Sequence, residues 1–118
     1  MKRGEVWTAA GGADYAGKPR PSVIVQDDAF EATESITICA LTSWTGGGPL
    51  LRPLIMPSDG NGLSAESALM IDKITTLPRT KLRQRIGRLS DKDMRRLGEA
   101  MLIFFGLAAP VSTHEKSE

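Results

Sequence analysis

Cysteine and histidine each occur once in the 118 residues, and that scarcity removes most familiar catalytic chemistry. A lone Cys39 allows no intrachain disulfide and no cysteine-based metal cluster. It lies in the apolar run Ile36-Thr37-Ile38-Cys39-Ala40-Leu41, where a small buried hydrophobe is expected rather than a nucleophile. The lone His114 falls in the polar tail 110–118 and is expected to be solvated, so no Ser-His-Asp set is available. No His, Cys and carboxylate spacing suits a metal, and neither metal nor cofactor is expected. Gly11-Gly12 and Gly46-Gly47-Gly48 form neither a GxGxxG nor a Walker loop, so nucleotide binding is not supported. No apolar run is long enough to span a bilayer, and no secretory signal is seen; a cytoplasmic location is expected.

An excess of one charge is lacking too. The net charge is +1, so global charge does not mark a nucleic-acid binder. The distribution is less even: eight of the 15 Lys and Arg lie between Arg79 and Arg96, opposed there by Asp91 and Asp93 alone. That stretch reads either as a solvated face or as a surface for an anionic partner. With 41% hydrophobic and 25% charged residues, the chain suffices for one globular domain.

What stands out is Lys18-Pro19-Arg20-Pro21-Ser22-Val23-Ile24-Val25-Gln26. Pro21 pushes Arg20 away from helix and fixes its own φ. Val23, Ile24 and Val25 read as a buried strand. The guanidinium is thus pinned at the mouth of a rigid element, where it suits a phosphate or carboxylate.

Along the chain, strands are expected at 5–9, 20–27, 35–43 and 50–56, the last demoted to an edge by Pro53. Residues 10–18 and Gly46-Gly47-Gly48-Pro49 read as loops, and Ser58-Asp59-Gly60-Asn61-Gly62 as a turn. Another strand is expected around Leu69–Ile74, a helical turn within 78–84, and a final strand at 85–89. Ser90 and Asp93 have capping-box spacing ahead of a helix with Gly106 as its stop. Met94, Leu97, Met101, Leu102 and Phe105 share one helical face, expected to be core rather than dimer interface. Five or six short strands and a terminal helix predict a small, mostly β barrel with a helix packed on it.

Four polar residues then remain at strand ends: Arg20, Thr42, Ser43 and Asp72. Thr42 and Ser43 suit either strand-end hydrogen bonding or a catalytic role. Asp72, flanked by Met70, Ile71 and Ile74, is either a carboxylate in apolar company or one half of a salt bridge.

On these residues the chain resembles the MazF/PemK family of toxin endoribonucleases. Arg3-Gly4-Glu5-Val6-Trp7, Gly17 to Gln26, Leu41-Thr42-Ser43, Met70 to Leu77 and Ile86-Gly87-Arg88-Leu89-Ser90 match it in order and spacing across residues 2–107. The resemblance implies an SH3-like β-barrel of the MazF/CcdB type with a C-terminal α-helix. Residues 1–107 would form that domain and 108–118 a disordered polar tail. It also implies a homodimer that cleaves single-stranded RNA at a short sequence without a metal, leaving a 2′,3′-cyclic phosphate (or 3′-phosphate) and a 5′-hydroxyl.

Carried over, Arg20 would stabilise charge on the scissile phosphate, since an arginine pKa above ~12 makes it a reluctant proton carrier. Thr42 would donate to a phosphate oxygen or orient the 2′-OH, with Ser43 assisting. Asp72 matches an acid proposed as general base, and burial would raise its pKa. Where some members carry an arginine two residues before that acid, this chain has Met70. Lys18, Ser43, Trp44 and Lys73 are expected to contact RNA, with Trp44 either stacking on a base or packing over the barrel end. A cognate antitoxin is the implied partner, through a disordered acidic C-terminal segment. The alternatives are a CcdB-like gyrase poison and an inactive SH3-like binding module.

Overall fold

The computed structural model describes residues 1–10 and 19–110. Residues 11–18, which the sequence suggests form a loop and include Lys18, and residues 111–118, which include His114, lie outside the described residues.

Seven strands are present among the described residues: β1 (Glu5–Ala9), β2 (Arg20–Ile24), β3 (Ser35–Thr42), β4 (Leu54–Ile55), β5 (Ser67–Leu69), β6 (Thr75–Pro78) and β7 (Leu82–Arg88). Helix α1 (Asp91–Phe104) follows. The sheet runs β4-β5-β3-β2-β1-β7, with β6 paired to β3 and every pairing antiparallel. It curls into a half-barrel with α1 laid against it.

Both faces of the sheet are covered, which explains the continuous apolar runs. Val23, Val25, Cys39 and Leu41 point into one cluster with Leu97 and Ala100 of α1. Their neighbours Ile24, Ile38 and Ala40 point into a second cluster with Ile36, Met70 and Leu82. Alternation along a strand sends successive side chains to opposite faces, so a strand covered on both sides carries no polar stripe. Cys39 is fully buried, and desolvation pushes its thiol up to about 12. It is a packing residue.

Several boundaries differ from expectation. β2 ends at Ile24, because the chain then turns into a cap: Asp27 accepts from the Ala29 N–H at 2.8 Å. β4 keeps two residues, consistent with Pro53 ahead of it at the sheet edge. The strand expected around Leu69–Ile74 is two strands separated by a 3-10 turn at Ile71–Lys73. Met70 and Ile71 are both buried, but in different clusters, so the apolar signal ran straight through the break. The turn points Ile71 inward and leaves Asp72 at the surface.

The ends of α1 follow the sequence closely. Ser90 Oγ accepts from the Asp93 N–H at 3.1 Å. At the other end, Gly106 N–H donates to Ile103 O at 3.0 Å and Leu107 N–H to Leu102 O at 2.8 Å. These are the two bonds of a Schellman stop, which needs the left-handed φ of 76° found at Gly106. The helix face expected to be core divides. Leu97 is fully buried, Met94 and Met101 are half-buried, and Leu102 and Phe105 are exposed at 46% and 53%. The buried half lies toward the middle of α1 and the exposed half at its last turn.

Candidate active site

β3 pairs with β2 along one edge and with β6 and then β5 along the other, and the site forms where the β2 pairing ends and the β5 pairing begins. Residues Ile38 to Ala40 pair with β2, with Ser22 opposite Ala40 and Val23 opposite Cys39. Leu41 and Thr42 pair instead with Leu69 and Ala68 of β5. Carried two residues beyond the Ser22–Ala40 pair, the β2–β3 register sets Arg20 level with Thr42. The strands part there, and Arg20 is paired on its other side with Ala9 of β1. A groove of about 300 Å³ opens between them. β2 and the residue before it line the groove with Pro19, Arg20 and Pro21; β3 and its end supply Leu41, Thr42 and Ser43. The segment after the 58–62 turn closes it with Leu63, Ser64, Ala65 and Ser67.

Two of the three expected catalytic residues therefore share one groove. Arg20 is half-buried and lines the groove together with the prolines that flank it in sequence. Thr42 Oγ1 accepts the backbone N–H of Trp44 at 3.2 Å. A hydroxyl that accepts there keeps its own hydrogen for donation. Ser64 and Ser67 were missed by the sequence reading. Ser67 is buried and donates to Ala65 O at 3.0 Å, which ties down the groove wall.

Asp72 stands apart from the groove, paired with Arg52. Arg52 Nε donates to Oδ1 at 2.7 Å and Nη2 to Oδ2 at 3.0 Å, a two-pronged contact with side chains 12% and 27% exposed. Hydrogen bonding from Arg52 is the largest influence on the carboxyl and holds its pKa below the ordinary value. The expected rise through burial is overturned, because the apolar neighbours Met70 and Ile71 turn inward and Asp72 does not. The salt-bridge reading of Asp72 is the one found. Lys73 is exposed on the same turn, beside Asp72 and away from the groove lining.

Arg52 was not singled out from the sequence, although a signal existed. Arg52-Pro53 just ahead of β4 repeats the Arg20-Pro21 pair that opens β2. Its stem passes over the glycine loop: a Cβ on Gly47 would meet Arg52 Cγ at 2.4 Å. The Trp44 ring lies on the same glycines, 2.8 Å from a Cβ position on Gly46. Trp44 remains 62% exposed, so it does not pack over the barrel end.

A second and larger groove, about 780 Å³, runs along α1. Met94, Met101, Leu102, Phe105 and Leu107 make its apolar floor, with Arg3 and Arg95 among its charged neighbours. It holds none of the expected site residues. Among the described residues no helix is long and apolar enough to cross a membrane.

Comparison with known proteins fits this geometry. Residues 2–105 match the family model described as PemK-like, MazF-like toxin of type II toxin–antitoxin system. The chain is 50% identical over 108 residues to a probable endoribonuclease MazF of Mycolicibacterium smegmatis, covering 92% of this chain and 99% of that one. It is 35% identical over 91 residues to a probable endoribonuclease MazF2 of Mycobacterium tuberculosis, covering 76% and 83%. Among solved structures, an endoribonuclease in complex with its cognate antitoxin from a mycobacterial species superposes with a TM-score of 0.76 at 24% identity, over 93% of this chain and 99% of that one. The Mycobacterium tuberculosis toxin MazF-mt6 gives 0.75 at 23% identity, over 88% and 98%. At these identities the structural matches speak for the fold.

Proposed function

The chain belongs to the PemK-like, MazF-like toxins of type II toxin–antitoxin systems, and we propose that the groove between β2 and β3 is where it cuts RNA. It is a MazF-type toxin endoribonuclease. The gyrase-poison and inactive-module readings are not favoured, because the curated relatives are named as endoribonucleases.

The observation that carries the groove assignment is the convergence of Arg20 and Thr42 on its two walls. Single-stranded RNA brings its own nucleophile. The 2′-oxygen attacks the adjacent phosphorus, the bond to the 5′-oxygen breaks, and a 2′,3′-cyclic phosphate and a 5′-hydroxyl result. Water at the open groove takes the 2′ proton, and water there returns one to the departing 5′-oxygen. Negative charge builds on the non-bridging oxygens during this exchange. A guanidinium placed in advance at those oxygens lowers the barrier without reorganising. Its forked donors suit that place, and its high pKa keeps it charged throughout. The Thr42 hydroxyl donates a second bond to the same group. Ser43 extends the polar edge, and Trp44, exposed directly after it, is suited to stack on an unstacked base. No step is routed through a metal or cofactor. Lys18 and Lys73 add positive charge for the backbone.

The cell-level consequence is loss of translation and growth, acting in the cytoplasm where the RNA is. The toxin is held in check by an antitoxin whose acidic segment covers the groove and reaches the basic stretch; Arg83, Arg85 and Arg88 stand exposed on the edge strand β7. A mycobacterial structural relative is described in complex with its cognate antitoxin. The apolar end of α1 is assigned to self-association, since Leu102, Phe104, Phe105 and Leu107 are large hydrophobic residues exposed close together there.

Primer extension on a long RNA treated with the purified protein in EDTA tests activity, metal independence and cleavage sequence together. Discrete stops at one short sequence are expected. An intact RNA would contradict the assignment.

A further inference from the structure

We propose that the Arg52–Asp72 ion pair is a positioning device that holds Trp44 at the edge of the RNA groove and thereby sets which base is accepted beside the cut. The inference rests on the reading of this groove as the ribonuclease site.

Six contacts make a continuous path. Asp72 sits on the 3-10 turn Ile71–Lys73, and the preceding Met70 N–H is fixed to Ala40 O at 2.9 Å, so the turn is anchored to β3. Its carboxylate takes both prongs of Arg52. Arg52 is itself fixed to the loop it clamps, its backbone N–H donating to Gly48 O at 2.9 Å. The stem then lies where a Gly47 Cβ would be, and the Trp44 ring lies against Gly46 and Gly47. Only glycine leaves room for both side chains on one backbone. Beyond the ring, the Trp44 N–H returns to Thr42 Oγ1. The loop between β3 and β4 would otherwise be a glycine-rich tether with little to hold it. The pair gives it one conformation.

A carboxylate engaged at both oxygens by a guanidinium is a poor proton acceptor. Its lowered pKa agrees with a holding role. Asp72 thus acts through Arg52 and Trp44 and not on the 2′-OH. An aromatic ring held in place loses less freedom when a base stacks on it, so the benefit falls on substrate binding and on the choice of base.

The experiment compares wild type, Arg52→Ala, Asp72→Asn, Trp44→Ala and the reciprocal Arg52→Asp/Asp72→Arg swap. Steady-state cleavage in EDTA uses a short RNA carrying the site found by primer extension, and versions with each flanking base replaced. Arg52→Ala and Asp72→Asn are expected to raise KM about tenfold and to weaken discrimination at one flanking base by a similar factor, with kcat changed less than about threefold. Arg52→Ala added to Trp44→Ala should cost nothing further, and the swap should recover discrimination. If Asp72→Asn instead lowers kcat about 100-fold at unchanged KM and Arg52→Ala is silent, Asp72 is a proton acceptor and the proposal fails. A second arm reads the clamp without RNA. Protein labelled with 5-fluorotryptophan carries two fluorine probes, and in Arg52→Ala or the milder Arg52→Lys the Trp44 resonance should shift and narrow while that of Trp7 stays put. Unchanged resonances in both variants would overturn the proposal. Wild type that cuts no RNA would overturn the ribonuclease reading, and the role given to the pair with it.

Discussion

The backbone N–H of Trp44 donates to Thr42 Oγ1 at 3.2 Å, so the threonine hydroxyl is oriented before any RNA arrives. Thr42→Val keeps the shape and removes the hydroxyl. Hydrogen bonds to a charged group are worth about 1.5–3 kcal/mol, which corresponds to roughly a 10- to 150-fold loss in single-turnover cleavage. Thr42→Ser should retain most activity. Thermal melts of both should lie within a few degrees of wild type, because Thr42 is only half-buried.

Glu5 gives the fold a pH dependence. Desolvation is the largest influence on its carboxyl and pushes the pKa up, but it is outweighed. The Trp7 indole N–H at 2.9 Å, the Lys2 N–H at 3.1 Å and Arg85 at 3.6 Å bring the net value below the ordinary 4.5. A depressed folded-state pKa contributes stability above the unfolded value and loses it as pH falls through the folded one. Urea midpoints should therefore drop between pH 4.5 and the more acid range, and Glu5→Gln should flatten that part of the curve. An unchanged slope in Glu5→Gln would remove Glu5 from the account.

The two halves of the α1 face should answer differently. Leu97 is fully buried, and Leu97→Ala should cost about 2–5 kcal/mol in urea unfolding. Phe105 is 53% exposed, so Phe105→Glu should leave the protomer folded and shift light scattering from dimer to monomer. A wild-type monomer at micromolar concentration would contradict the role given to this face.

Ser90 caps α1 through the Asp93 N–H. Ser90→Ala should lower stability by about 1 kcal/mol without altering cleavage. A parallel loss of activity at permissive temperature would tie the helix to the site more closely than the geometry does.

Local chemistry made much of this legible. The prolines around Arg20, the turn at 58–62 and both ends of α1 are specified within a few residues, and each stands where the sequence placed it. The turn is held by Asn61, whose Oδ1 accepts from Ser58 and Leu63 N–H groups at 3.0 Å. The groove is half legible: the sequence singles out Arg20 and Thr42, which line it together, but the end of β3's pairing with β2 and the start of its pairing with β5 leave no mark in one chain. Asp72 reads as strand because Met70 and Ile71 are consecutive apolar residues, a pattern that a 3-10 turn between two cores reproduces. Arg52 escaped because its partner lies 20 residues away, and sequence spacing carries no information on such a pair.

The central claim is that Arg20 stabilises the charge that develops on the scissile phosphate. Single-turnover cleavage of a single-site RNA in EDTA, by wild type and Arg20→Ala at matched saturation, tests it most directly. A fall of about 100-fold or more is expected with the fold intact by circular dichroism, and recovery of part of the rate by Arg20→Lys, which restores charge without the fork. Full activity in Arg20→Ala would contradict it.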